Sequence, residues 1–349
     1  IYMVERDYLI LSGDTLVAKW DCGLLTVYCD ELLPLYLKRV KDADLWLETR
    51  AIDSHRANSR LLKKALKLKD KDDISTAYFV HGATITDNYW VKPLDSVLTY
   101  EDIRFKSDAF SLLALKGTYA SFDKAANSIY TNTPELTNTG SFEKCWRLVN
   151  GNWWIYKSAT HRELFSELFI YRFGKALGMN MAVYEQDKRC IRTLDFTNNA
   201  SFNFEPAFAF MADNEDYEDV LKALTTLCPQ AIDDYVRMII LDTIVANPDR
   251  HTANFGLLRS IKTGKLIGLA PVFDHNMALI SHGYLPTPSR YDLLINSFNK
   301  FIASHPEFKR LIPNFDEDLI ISIVNDLGLR VKAREVANNI MKRYNMIKF

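Results

Sequence analysis

Asn247-Pro248-Asp249-Arg250-His251-Thr252-Ala253-Asn254-Phe255-Gly256 and, further along the chain, Pro271-Val272-Phe273-Asp274-His275-Asn276 are its most informative segments. An Asp separated by four residues from an Asn is the spacing of a protein-kinase-like catalytic loop. In such a loop the Asp takes the proton of an acceptor hydroxyl and the Asn holds Mg²⁺ through its amide oxygen. Asp249 is therefore the candidate base and Asn254 a candidate metal ligand. Asp274 is the second and main one.

The chemistry asks for these residue types. A transferred phosphoryl group carries negative charge that must be neutralised, and the attacking hydroxyl needs a nearby proton acceptor. Hard oxygen ligands suit Mg²⁺, which keeps several of its waters. Between Asn254 and Asp274 lie two β-prone runs, Phe255 to Leu258 and Leu266 to Val272, joined by Lys262-Thr263-Gly264-Lys265. That pattern predicts a hairpin, which would fold Asp274 back toward Asn254. The plainer alternative is a polar turn after a helix and the end of a strand. A zinc site built from His251, His275 and His282 is weaker, because their spacing matches no common zinc motif and no cysteine lies nearby.

Asp-Arg-His-x-x-Asn followed by a hairpin and an Asp resembles the HipA-like serine/threonine kinases and, more distantly, the phosphatidylinositol kinases. The resemblance covers roughly residues 130 to 349. It implies an α+β, two-lobed protein kinase-like fold with a β-rich N-lobe and a mostly α C-lobe, ATP and Mg²⁺ as cofactors, and a protein Ser/Thr hydroxyl as acceptor. A lipid acceptor, or a kinase fold that only docks partners, are the alternatives. Relatives that are toxins held by a DNA-binding partner imply an antitoxin-type partner, although the N-terminal region departs from that of HipA itself.

Composition narrows the field from another side. Of the 349 residues 48% are hydrophobic and 25% charged, as in a globular protein with ample material for a core. The net charge of −1 gives no electrostatic argument for binding nucleic acid or an anionic membrane. Lys63, Lys64, Lys67 and Lys69 read as a solvated helix face, because Asp70, Asp72 and Asp73 follow at once. Five scattered cysteines, with no Cys-x-x-Cys pair, argue for a reducing compartment. No apolar run is long enough to span a bilayer, and Ile1 to Arg6 carry no secretory pattern. The location expected is a bacterial cytoplasm, with an exported effector as the alternative.

In chain order, Tyr8 to Val27 predict a small antiparallel meander and Arg56 to Leu68 an amphipathic helix. Thr84 to Pro93 resembles a segment of Gram-positive members of the same family. The expected division is an N-terminal α+β module over 1–120, a kinase N-lobe over 121–198 and a helical C-lobe over 199–349. Thr137-Asn138-Thr139-Gly140-Ser141-Phe142-Glu143-Lys144 is a turn-forming run between β-prone flanks. It resembles the phosphate-covering loop of the family, with Thr139, Gly140 and Ser141 as nucleotide contacts. A plain hairpin turn is the alternative. In the family a hydroxyl of this loop is autophosphorylated. Alignment on Gly140 and Lys144 makes Thr137 the first candidate and Ser141 the second.

The apolar strand Trp153 to Ser158 carries Lys157, expected to contact phosphates, and the helix Arg162 to Leu177 carries Glu163 and Glu167, of which Glu167 fits the partner position better. Two strands, Met181 to Glu185 and Cys190 to Phe196, lead to a linker in which Asp195 and Phe196 are expected beside the adenine. Helices over Asp216 to Leu227 and Gln230 to Asn247 deliver Asp249. His282 to Tyr291 reads as a loop, and further helices complete the chain.

Overall fold

The computed structural model describes residues 7–69 and 71–347. Ile1 to Arg6, read above as lacking a secretory pattern, and Asp70, in the acidic run, lie outside the described residues. The strands are β1 (Tyr8–Ser12), β2 (Thr15–Asp21), β3 (Leu24–Val27), β4 (Tyr89–Pro93), β5 (Lys144–Val149), β6 (Asn152–Ser158), β7 (Tyr184–Asp187), β8 (Cys190–Leu194), β9 (Phe202–Pro206), β10 (Gly256–Ser260) and β11 (Leu266–Leu269). The chain forms two compact units, each discontinuous in sequence. The first holds the described residues up to Ser158 with Arg192–Glu205 and Leu258–Leu266, and the second holds Ala159–Ile191, Pro206–Leu257 and the described residues from Ile267 onward.

In the first unit the expected meander forms, and β4 adds to it, giving the order β3-β2-β1-β4. Both neighbours of β1 run antiparallel, with Tyr8 opposite Trp20 on one side and Pro93 on the other. Pro93 lacks a backbone donor and is tolerated because it ends an edge strand. Tyr8, Ile10, Val17, Ala18 and Trp20 are buried against Trp46, Leu47 and Ala77. β5 and β6 form a second antiparallel hairpin, turning at Asn150 and Gly151, which both have positive φ, 51° and 79°. Asn-Gly is the pair that a two-residue hairpin turn with both centres left-handed prefers.

The hairpin expected between Asn254 and Asp274 is β10 and β11, and β9 adds to it in the order β11-β10-β9. Its turn requires Gly264, where φ is 68° and an added Cβ would lie 1.9 Å from the Glu31 carbonyl oxygen. That close approach is fixed by Arg259, whose guanidinium donates to Glu205 Oε1 (2.9 Å), Leu33 O (2.7 Å), Glu31 O (2.8 Å) and Gly264 O (2.7 Å).

The second unit is mostly helical: His161–Ala176, Tyr217–Leu227, Ile232–Val245, Leu293–Ser304, Glu317–Asp326 and Ala333–Asn345 are its long helices. Thr160 and Glu163 form a reciprocal capping box at the start of the first of these, so Glu163 serves the helix end. Ile232–Val245 is buried along almost its whole length from Tyr235. It stops at Ala246, in the left-handed region at φ 53°, and Pro248 keeps the chain from resuming a helix. Arg343 ties the last helix to this one, donating to Thr243 O (2.8 Å) and to the Asp292 carboxylate (2.6 Å).

Three local expectations are corrected. The helix read over Arg56 to Leu68 covers only Ser59–Ala65, because Arg56 closes a turn onto Asp53 O at 3.2 Å. The flank before Thr137 is a 3-10 turn, Pro134–Thr137, where a β-prone run was read. The strand read from Met181 starts at Tyr184, Met181 making only an isolated parallel bridge to Val272.

Candidate active site

Asp249, Asn254, Asp274 and Glu167 all belong to the second unit. Asp249 leaves the helix Ile232–Val245 in an extended turn, its N–H donating to Asn247 Oδ1 at 3.3 Å. Asn254 is 6% exposed, and its Nδ2 donates to Asp249 O at 2.9 Å. With the amide nitrogen committed to the loop backbone, Oδ1 is the end of that side chain left to accept or to ligate a cation. The Asp249 carboxylate is half-buried and takes no partner among the described residues.

Sequence reasoning gave Arg250 no role, yet it organises the loop. Its side chain is about nine-tenths buried. Nε and Nη2 donate to the two Asp242 oxygens (2.8 and 3.0 Å), Nη1 to Asn254 O and Phe273 O (2.6 Å each), and Nη2 also to His275 Nε2 (3.0 Å). All five guanidinium protons therefore have acceptors. The consequence is geometric: one side chain joins the end of the 249–254 loop to the residue before Asp274. His275 Nε2 lies 3.0 Å from Arg250 Nη2 and 3.5 Å from Asp242 Oδ1, and the shorter contact, to a group that cannot accept, assigns Nε2 as the acceptor and the ring proton to Nδ1. Burial pushes the His275 pKa down, in keeping with a neutral ring. Burial pushes Asp242 up, but the Arg250 charge and the surrounding hydrogen bonds outweigh it and hold the carboxyl well below the usual range. Asn247 Nδ2 completes the cluster by donating to Asp242 Oδ1 at 2.8 Å.

Asp274 stands in the left-handed region at φ 61°, which an Asp tolerates better than most residues. Its N–H donates to the Tyr184 hydroxyl at 2.8 Å, and the next N–H, of His275, donates to Glu167 Oε2 at 3.0 Å. Glu167 is 1% exposed and projects from the middle of the helix His161–Ala176. The candidate metal ligands thus come from the loop and from the strained residue after β11, both on one hydrogen-bonded scaffold. Their donor atoms are a neutral amide oxygen and a carboxylate, the hard set that suits Mg²⁺.

The other predicted residues belong to the first unit. Lys157 lies in β6 directly opposite Lys144 in β5, so the two side chains share a face of the hairpin. Thr139, Gly140 and Ser141 are exposed. Gly140 has φ 94°, which a side chain would strain, and an added Cβ would come within 2.6 Å of Lys144 Nζ. Thr137 differs from its neighbours, being 6% exposed with Oγ1 donating to Ala83 O at 2.5 Å. Asp195 is buried, and its oxygens accept from Thr197 N–H (2.9 Å), Thr197 Oγ1 (2.6 Å) and Asn199 N–H (2.8 Å). Those bonds hold a turn in which Asn198, Asn199 and Ala200 are all left-handed. Its own N–H donates to Trp153 O at 2.9 Å, and Phe196 packs edge-on against Phe204 at 5.3 Å.

A family model described as HipA-like C-terminal domain matches residues 146–343. Among solved structures, a chain of the Shewanella oneidensis MR-1 toxin–antitoxin complex of HipA, HipB and operator DNA aligns over 97% of this chain and 96% of its own, with a TM-score of 0.52 and 12% identity. That likeness is one of fold. The Helicobacter pylori proinflammatory kinase CtkA aligns over 58% of this chain and 90% of its own, with a TM-score of 0.45 and 16% identity. No curated protein sequence matches the chain.

Proposed function

Because the chain belongs to the family of HipA-like C-terminal domains, we propose that it is an ATP- and Mg²⁺-dependent kinase that phosphorylates a Ser or Thr hydroxyl of a protein. The observation that carries the reading is the Arg250 scaffold, which links Asn254 to the residue before Asp274 while the Asp249 carboxylate stays uncommitted. Asp249 takes the proton of the attacking hydroxyl. Asn254 and Asp274 hold the metal, whose part when bound is to neutralise phosphate charge. Lys157 and Glu167 serve to orient phosphate, the roles that the family resemblance implies for them. Thr139, Gly140 and Ser141 cover the phosphates with backbone donors, and the linker at Asp195 and Phe196 meets the adenine through its backbone.

The same proposal divides the chain into a module over 1–120, an N-lobe over 121–198 and a C-lobe over 199–349. The HipA of the Shewanella complex was solved with HipB and operator DNA, so a HipB-type partner is part of the reading, as are a cytoplasmic site of action and autophosphorylation. Incubation with labelled ATP, Mg²⁺ and a bacterial lysate tests the function directly. Label should enter protein, and Asp249→Asn and Asp274→Ala should abolish it in folded protein. Label in the lipid fraction alone would point to a lipid acceptor.

A further inference from the structure

The loop Thr139–Glu143 is held at both ends by one side chain. Arg56 is 2% exposed, and its guanidinium donates through Nη1 to Asn138 O (2.6 Å) and through Nη2 to Lys144 O (2.5 Å), the residues that flank the loop. Its own backbone is fixed, because Arg56 N–H closes on Asp53 O at 3.2 Å and Ser59 Oγ donates to Arg56 O at 2.7 Å. A second layer supports the same stems. Glu135 accepts from Trp146 N–H (2.8 Å) and from Asn138 Nδ2 (3.1 Å), and Asn58 donates through its N–H and Nδ2 to the Glu143 carboxylate (3.1 and 2.8 Å).

Arg56 is an expensive way to fill this space. A buried guanidinium loses its hydration, and an apolar side chain of similar volume is often the more stable choice. No carboxylate is in ion-pair contact with Arg56 among the described residues, and its Nε is buried with no partner. What the charge does here is reach two carbonyls from two nitrogens of one rigid plane, which a Met or Leu cannot do and a Lys, with all its donors on one nitrogen, cannot do in the same geometry.

We propose that Arg56 is the positioning residue of the phosphate-covering loop, clamping its two stems so that the backbone donors around Gly140 are in place before nucleotide arrives. The inference rests on the nucleotide reading of that loop. Pinning both ends removes most of the conformational entropy that ordering the loop would otherwise cost on binding. The clamp therefore acts on nucleotide affinity more than on the chemical step.

Hydrogen exchange on the full chain without nucleotide, comparing wild type, Arg56→Met and Arg56→Lys, tests the clamp. Amides of residues 139–143 should exchange at least about tenfold faster in Arg56→Met, since each charge-assisted bond lost is worth about that factor or more. Arg56→Lys, which can hold one carbonyl and keeps the buried charge, should fall between and guards against a Met variant that does not fold. Amides of the helix Ile232–Val245 should not change. In the transfer assay KM for ATP should rise with kcat within about twofold, and Lys should rescue part of the rise. Unchanged exchange in the loop of either folded variant overturns the clamp. So does a loss of protection spread evenly over both units, which would make Arg56 a support of the core. If wild type binds no ATP, the nucleotide reading fails, and loop exchange still decides the clamp.

Discussion

Two buried arginines, one in each unit, each tie together the backbone carbonyls at the base of a loop, and they are solvated by the protein in opposite ways. Arg250 has all five protons accepted and a carboxylate, Asp242, in bidentate contact. Arg56 has two carbonyls, a buried Nε without a partner, and Glu135 and Glu143 only as more distant charges. Burial pulls both guanidiniums down; at Arg250 the Asp242 charge reverses the shift, and at Arg56 nothing does so fully. The difference teaches which loop is locked and which is merely held. On the proposed function the Arg250 loop carries a base and a metal ligand and must keep its geometry through every turnover, which an ion pair with every donor used does. The loop at Gly140, which on the same proposal admits and releases a nucleotide, needs a hold that can be loosened.

The largest expected effect is on the locked side. Asp249→Asn keeps the loop's hydrogen bonds, which involve the Asp249 backbone, and removes the proposed base. Phosphoryl transfer should fall by ~10²- to 10⁴-fold with the circular dichroism spectrum and melting temperature preserved. Wild-type transfer from a folded Asp249→Asn protein would show that this rigid loop serves something other than base catalysis.

Next comes stability. Asp242→Asn leaves the Arg250 charge buried without its carboxylate, a change that costs ~3–5 kcal/mol in comparable sites. Glu135→Gln, on the Arg56 side, removes a carboxylate that touches only neutral donors and should cost ~1 kcal/mol or less near pH 7. Urea denaturation of the two variants measures the contrast. Equal losses would mean that the two arginines are held alike and that the comparison fails.

The held loop is also where covalent regulation would act. The family resemblance ranks Thr137 first as the autophosphorylated hydroxyl, but burial and the bond to Ala83 O withdraw that hydroxyl from a phosphate donor. Ser141 is exposed, so peptide mass spectrometry after incubation with Mg²⁺ and ATP should find phosphate on Ser141 and none on Thr137. A group of about −1.5 to −2 charge there would be repelled by the phosphates of ATP, and nucleotide affinity should drop. Phosphate confined to Thr137 would mean that the 3-10 turn opens far more readily than its hydrogen bonds suggest.

Legibility in the sequence followed the range of the interactions. The β10–β11 hairpin could be read because its signal is local, two β-prone runs around a glycine turn, and the Asp249–Asn254 spacing behind the proposed site is equally local. Arg250 sits inside the same motif and still went unread, since its partners are eight residues back at Asp242 and twenty-five ahead at His275. Leucine periodicity places Arg56 at the start of a helix and says nothing of its contact with a carbonyl 88 positions away. β9 was missed for a different reason. In Phe202-Asn203-Phe204-Glu205-Pro206 the alternation is inverted, with Asn203 and Glu205 buried and the aromatics outward. Asn203 accepts from Asn88 N–H and Glu205 is paired with Arg259, partners that no local pattern announces.

The last effect is a pH dependence that separates the two carboxylates. Burial pushes Glu135 up to about 7, its hydrogen bonds from Asn138 and Trp146 and the Arg56 charge offsetting only part of that, whereas Asp242 is held well below its ordinary range. A carboxyl whose folded pKa is raised binds more protons in the folded state, so its contribution to stability is full below the unfolded value near 4.5 and is lost as pH rises toward 7. Asp242 has the opposite sign, contributing above the normal carboxylate range and losing that contribution only as pH falls below it, so it is silent between 4.5 and 7. His275 and His81, both pushed down by burial, lose their contributions as pH falls below about 6.5 and would mask a small slope of the other sign. The difference between wild type and Glu135→Gln removes them. Relative to the variant, wild type should lose roughly 1–3 kcal/mol between pH 4.5 and 7 and then level off. A difference that stays flat across that window would mean that Glu135 remains ionised throughout, with Arg56 compensated as fully as Arg250.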